Sequence, residues 1–190
     1  MRPPIIALLV LGLCSGQVLA DAKSGETKAQ ICLACHKPQH RLADMPLLER
    51  QPATYLIVQL KAYKERRRAD GTSGMQASAA NLSDRDMRDI SDFFAAQSIP
   101  SVAYQVDAAK AALGQNKAAE FGCVKCHLTD RNTVSVVPRL AGQALGYSIG
   151  QLQAFATGKR FHGLGSNAAP AAPLNSADME DLANYFAQLK

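Results

Sequence analysis

Tryptophan is absent, and six Phe and five Tyr are the only aromatic residues in a chain of 190. So little large apolar surface leaves two independent cores short of filling. A small domain in that position needs a staple, a metal or a cofactor. Long apolar runs are also missing. The longest, Ile5 to Leu13, falls well short of the roughly 20 residues a membrane-spanning helix requires. Cysteine is sparse and odd in number, with five residues, which does not suit a disulfide framework. With 47% hydrophobic and 19% charged residues, the chain is neither disordered nor fibrous.

The first twenty residues read as an address. Arg2 is the only charge before Asp21, the apolar run follows it, and Val18-Leu19-Ala20 places small residues at the −3 and −1 positions of a cut. That is the layout of a secretory signal peptide (residues 1–20), removed after Ala20. Cys14 leaves with it, as does Arg2, taking the formal charge from +5 to +4. The expected location is the periplasm, where four remaining cysteines would ordinarily form two disulfides.

Their spacing points elsewhere. They occur as Cys32-Leu-Ala-Cys35-His36 and Cys123-Val-Lys-Cys126-His127. This is the C-x-x-C-H pattern of covalent haem c attachment. On a helical turn, residues i and i+3 share a face, so two thiols reach the two vinyl groups of one porphyrin. The histidine that follows can turn its ring under the iron. Cys32, Cys35, Cys123 and Cys126 are therefore the expected thioether anchors of two haem c groups, with His36 and His127 as proximal iron ligands. Zinc is the competing reading of paired C-x-x-C, although it would not require His after both pairs.

The repeat extends beyond these signatures. Pro46, Leu48, Gln51 and Tyr55 recur as Pro138, Leu140, Gln143 and Tyr147, and Gln59-Leu60 as Gln151-Leu152. Leu82, Asp86, Met87 and Asp89 recur as Leu174, Asp178, Met179 and Asp181, all at an offset of 92 residues. Such self-similarity marks duplicated domains, here 21–98 and 103–190, joined near Gln97 to Ser101. Both halves read as all-α. Helices are expected at about Glu26–Ala34, Pro52–Arg67 and after Ser83, then at Asp107–Leu113, Tyr147–Thr157 and Ser176–Leu189. Tyr55, Leu56, Leu60 and Tyr63 form one apolar stripe. Porphyrin would supply the missing core material.

With its two C-x-x-C-H units, PRLAGQ…Y…QL…F…GKR and LSDRDMRDISDFFA, the sequence resembles the dihaem cytochrome c4 family across essentially all residues after the signal. The resemblance implies two tandem class I cytochrome c domains, each wrapped around one covalently bound haem c. It implies an electron carrier rather than an enzyme, passing electrons between redox proteins of a respiratory chain such as an oxidase, reductase or dehydrogenase. It also implies that Pro46 and Pro138 offer their carbonyls to the proximal histidines. The first half departs from the family at Glu49-Arg50-Gln51, where Ala-Gly-Gln is usual.

Methionine opposite histidine raises the potential of a c-type haem. Met87 and Met179 are repeat partners with core spacing, and Met45 suits packing. Met75, in the Gly-Thr-Ser-Gly-Met segment, sits where the family places its axial ligand. Its repeat partner is Asn167, and no Met lies between Cys126 and Met179. Three readings follow for the second iron. His162 could complete a bis-His haem; the site could be open or water-bound, lined by His162 and Asn167; or another group could ligate it. An open second haem would make the protein a small-ligand sensor or a haem enzyme. His40, paired with Arg131, reads as surface.

Lys61, Lys64, Arg66, Arg67 and Arg68 form a basic cluster beside the Met75 segment. It suits an acidic redox partner or simply a helix end whose cations complement the dipole. No nucleic-acid-binding motif is present.

Overall fold

The computed structural model describes residues 22–37, 44–68, 73–100, 102, 104–127, 136–162 and 174–189. The signal segment 1–20, His40, Arg131 and Asn167 lie outside the described residues. Within them all regular structure is helical: α1 (Ala22–His36), α2 (Ala53–Lys64), α3 (Ser73–Ala80), α4 (Asp84–Ala96), α5 (Ala108–Glu120), α6 (Val124–His127), α7 (Leu145–Ala156) and α8 (Ser176–Gln188). No described helix is long and apolar enough to cross a membrane.

Each half is organised by its last helix. The Ser83 hydroxyl accepts from the Asp86 amide at 3.1 Å while the Asp86 carboxylate accepts from the Ser83 amide at 3.0 Å. Asn175 and Asp178 start α8 in the same way, at 2.9 and 3.0 Å. These reciprocal caps satisfy amides that the first helical turn leaves unpaired. α4 packs on α1 and α2, and α8 packs on α5 and α7. Ala29, Tyr55, Leu56, Ile90 and Phe94 form one core, with Cys32 packed against it. Ala118, Leu182, Tyr185 and Phe186 form the other, with Cys123 against it. The methionines Met87 and Met179 are buried, as their spacing suggests.

The first helix of each half is longer than the sequence pattern predicts. α5 continues through Gly114, which reads as a stop in isolation. Its role is contact: a Cβ there would lie 2.0 Å from the Asp181 carbonyl oxygen, and one at Gly25 would lie 2.4 Å from that of Asp89. Beside each glycine a lysine pairs with the last helix. Lys28 reaches Asp86 and Asp89 at 2.7 and 2.6 Å, and Lys117 reaches Asp178 and Asp181 at 2.5 and 2.8 Å. The repeat therefore extends upstream of the signatures, with Gly25, Lys28 and Ala29 matching Gly114, Lys117 and Ala118 at an offset of 89. The second half carries two more residues between this alanine and its first cysteine. They form a turn at Gly122, with φ at +74°, which separates α5 from α6. In the first half α1 runs unbroken through Cys32, Cys35 and His36.

The segment around Met75, which reads as a loop, is helical. Met75 stands in the first turn of α3, where Ala77, Ala79 and Ala80 supply helix propensity.

The two halves meet through matched polar contacts. The Gln143 side chain accepts from the Leu47 amide at 2.7 Å and donates to its carbonyl at 3.0 Å. Gln51 does the same to the Arg139 backbone, at 2.9 Å in each direction. Positions 47 and 51 are the repeat partners of 139 and 143, so one contact is the other seen after a half-turn. A second reciprocal set lies at the ends of α2 and α7. Arg68 donates to Gln59 of its own half, and to Gln151 and Tyr147 across the interface, at 2.9, 2.9 and 3.2 Å. Arg160 donates to Gln151 of its own half, and to Tyr55 and Gln59 across, the last two at 2.8 and 3.1 Å. Arg68 is thus only 5% exposed and does not belong to the basic surface cluster that the sequence suggests. Of that cluster, Lys61 pairs with Asp84, Lys64 donates to the Leu82 carbonyl, and Arg67 pairs with Glu65.

Candidate haem-binding sites

Cys32, Cys35 and His36 occupy the last turns of α1, and Cys123, Cys126 and His127 lie on and just before α6. Cys32 and Cys123 are half-buried, and Cys35 and Cys126 are exposed. In each pair the half-buried thiol packs against the core of its own half, Cys32 in the first and Cys123 in the second. Burial pushes the Cys32 and Cys123 thiols above their ordinary values. Among the described residues no three or more His, Cys, Asp or Glu side chains converge on a point where they could hold a metal ion.

The histidines are held in matching ways. His36 Nδ1 lies 3.1 Å from the Pro46 carbonyl oxygen, and His127 Nδ1 lies 2.9 Å from that of Pro138. A carbonyl only accepts, so each Nδ1 carries the proton and each Nε2 keeps its lone pair. Burial lowers the proton affinity of both rings, with the carbonyl opposing; nearby His162 lowers that of His127 further. Both rings are thus poised as neutral ligands with a fixed tautomer, the state in which imidazole binds iron.

The distal sides differ. Met75 is half-buried at the start of α3, which packs on α2. In the second half the ring of His162 stands with its centroid 6.0 Å from that of His127, the planes inclined at 49°. His162 also packs edge-on against Phe155 at 5.2 Å, while the Arg160 guanidinium lies over the Phe155 ring at 4.8 Å. Burial and the Arg160 charge keep the His162 imidazole below its ordinary value.

The cytochrome c family profile matches residues 111–190. Over 195 aligned residues the chain is 34% identical to cytochrome c-552 of Acidithiobacillus ferridurans, covering 96% of this chain and 84% of that protein. The crystal structure of reduced cytochrome c4 from Pseudomonas stutzeri superposes with a TM-score of 0.75 at 30% identity, over 90% of this chain and 99% of that one. The chain belongs to the dihaem cytochrome c4 family. It is a c-type cytochrome that carries electrons on haem c, folded as tandem class I cytochrome c domains. A thiosulfate dehydrogenase from Marichromatium purpuratum is also similar, with a TM-score of 0.70 and 28% identity, over 87% of this chain and 40% of that one.

Set against the family, the interface residues are what reading the motifs alone misses. Gln51 and Gln143 were visible as a repeated pair, and so were Gln59 and Gln151, without a role attached to either. Glu49, where the first half departs from the family pattern, is buried with its Oε2 unpartnered, and burial raises its carboxyl above the ordinary range. Arg139, from the other half, donates to the Glu49 carbonyl at 3.1 Å.

Proposed function

We propose that this chain is a periplasmic dihaem electron carrier, exported by residues 1–20 and folded as domains 21–98 and 103–190. Cys32 and Cys35 anchor haem one, with His36 and Met75 as its iron ligands. Cys123 and Cys126 anchor haem two, with His127 as its proximal ligand. The thiols of Cys32, Cys35, Cys123 and Cys126 would hold the two haems as thioethers, a bond that S–H addition to a vinyl group would supply without an external oxidant. Each haem, once bound, supplies a one-electron ferric/ferrous couple.

The observation that carries this reading is the duplicated histidine geometry. In both halves a C-x-x-C-H histidine donates Nδ1–H to a proline carbonyl and keeps Nε2 for the metal. The carbonyl bond fixes ring orientation and strengthens the ligand. The interface contacts hold the two halves in one relation, as transfer between paired centres requires. A respiratory or dehydrogenase partner fits the likeness to the thiosulfate dehydrogenase, of which this chain matches one portion.

The test is a pyridine haemochrome assay with intact-mass measurement on protein matured in a periplasm. Two haems per chain and loss of residues 1–20 are expected. One haem or none, or an unprocessed N-terminus, overturns the corresponding part. Cys123→Ser with Cys126→Ser should lower the count to one.

A further inference from the structure

We infer that His162 is the sixth ligand of the second haem iron, which makes the two iron centres unequal: His36/Met75 in the first domain and His127/His162 in the second. The inference rests on the dihaem reading above and concerns only the distal side of one site.

Three observations meet at His162. The first is distance. A metal–nitrogen bond is about 2 Å, and an imidazole centroid lies about 1.1 Å beyond the nitrogen, so two imidazoles on opposite sides of one metal stand about 6.3 Å apart. The His127 and His162 centroids are 6.0 Å apart. The second is support. Arg160 is buried and tied to Tyr55 and Gln59 across the interface, and its backbone amide donates to the Ala154 carbonyl at 3.1 Å. Its guanidinium covers the Phe155 ring, and the His162 ring meets that same ring edge-on. His162 is thus two residues from a buried arginine and set edge-on against the ring which that arginine covers, with its own side chain exposed beside His127. The third is composition. No methionine between Cys126 and Met179 can compete for the iron, and Met179 is buried in α8.

The first domain has the same scaffold without the histidine. Arg68 lies over Tyr63 at 4.5 Å, as Arg160 lies over Phe155. The position matching His162 is Asp70, and Met75 follows five residues later. Ligation at 162 therefore takes the distal position from a different point along the chain. His/Met ligation raises a haem potential relative to bis-His ligation. The second domain is accordingly the more strongly reducing, and the first is where an electron comes to rest.

The experiment uses the mature dihaem protein. Near-infrared magnetic circular dichroism of the oxidised form should show a sulfur-to-iron band for one haem and a bis-imidazole band for the other. Carbon monoxide added to the dithionite-reduced protein should leave the Soret band unshifted at the second haem. His162→Ala should convert that haem, and only that one, to carbon monoxide binding, and added imidazole should restore the six-coordinate spectrum. His162→Met should replace the bis-imidazole band with a second sulfur band. Wild-type protein that binds carbon monoxide at one haem in two, or a His162→Ala spectrum identical to wild type, overturns the assignment. Should His162→Ala fail to accumulate, the His162→Met spectrum and the wild-type bands decide alone. A haemochrome count below two would instead break the dihaem reading, so the two failures are distinguishable.

Discussion

Replacing Gln143 with alanine tests the interface at its best-defined point. The substitution removes the hydrogen bonds to the Leu47 amide and carbonyl, at 2.7 and 3.0 Å, and the bond from the Ala144 amide at 2.9 Å that helps start α7. Gln143 is 4% and Leu47 6% exposed, so water does not readily replace the lost partners. Each bond is worth about 1 kcal/mol net, and each orphaned buried group costs about 1–3 kcal/mol. Partial entry of water into the opened seam trims the sum to about 3 kcal/mol. For a protein of this size that is a fall in Tm of roughly 6–12 °C. The assay is guanidinium unfolding of the holoprotein, followed by far-UV circular dichroism and Soret absorbance. Gln153→Ala, an exposed glutamine on the same helix, is the control, expected within about 0.5 kcal/mol of wild type. Gln51→Ala should cost about as much as Gln143→Ala, because it orphans the Arg139 backbone in the mirror-image contact. The double variant should cost less than the sum, since the first loss already opens the shared seam. A Gln143→Ala cost as small as that of Gln153→Ala would refute the view that these contacts hold the halves together.

Further outcomes follow from the repeat comparison. Arg50 and Arg66 have φ of +57° and +56°, where their repeat partners are Gly142 and Gly158. Arg50→Gly and Arg66→Gly should each stabilise by about 0.5–1 kcal/mol, the left-handed penalty less the extra freedom of glycine when unfolded; a lower denaturation midpoint in both would count against this. Gly114→Ala should destabilise by about 3 kcal/mol, because its Cβ would meet the Asp181 carbonyl and overpack α5 on α8; near-wild-type unfolding would be the contrary result. Lys28, and next Ser83, hold the Asp86 carboxyl well below the ordinary carboxylate range, and Lys28 lowers Asp89 as well. Groups whose folded value lies below the unfolded one, about 3.9, stabilise the fold above that pH and lose the contribution as pH falls through the folded value. Lys28→Met should therefore flatten the loss of stability below about pH 4, and midpoints that track wild type in parallel down the acid limb would exclude it.

Much of the site is legible because its chemistry depends on contiguous residues. C-x-x-C-H carries thiols and imidazole at fixed spacing, and the 92-residue offset exposes Met75 facing Asn167. The helices with strong caps, α4 and α8, are equally plain, since Ser83 with Asp86 and Asn175 with Asp178 act over one turn. The parts missed depend on distant residues. Gly114 looks like a terminator until Asp181 is seen against it. Arg68 looks like one more surface cation until Tyr147 and Gln151 are seen to accept from it. The upstream repeat is hidden by two additional residues that change its register, and the matched glycine and lysine contacts with the last helix reveal it. α3 is short and begins beside glycine, so local propensity argues weakly for it.

The half-turn symmetry of the seam has a consequence for how such a protein can vary. Two identical subunits meeting through this surface would feel every substitution twice, and a change of iron ligand in one would be a change in both. Joined in one chain, the copies are released from that constraint. Arg68 and Arg160 still mirror each other, as do Gln51 and Gln143. Immediately beyond the two arginines the sequences part, one leading to Met75 and the other to His162. The relation between the two halves is inherited in common, while, on the ligation proposed above, the electronic character of each iron would be set separately.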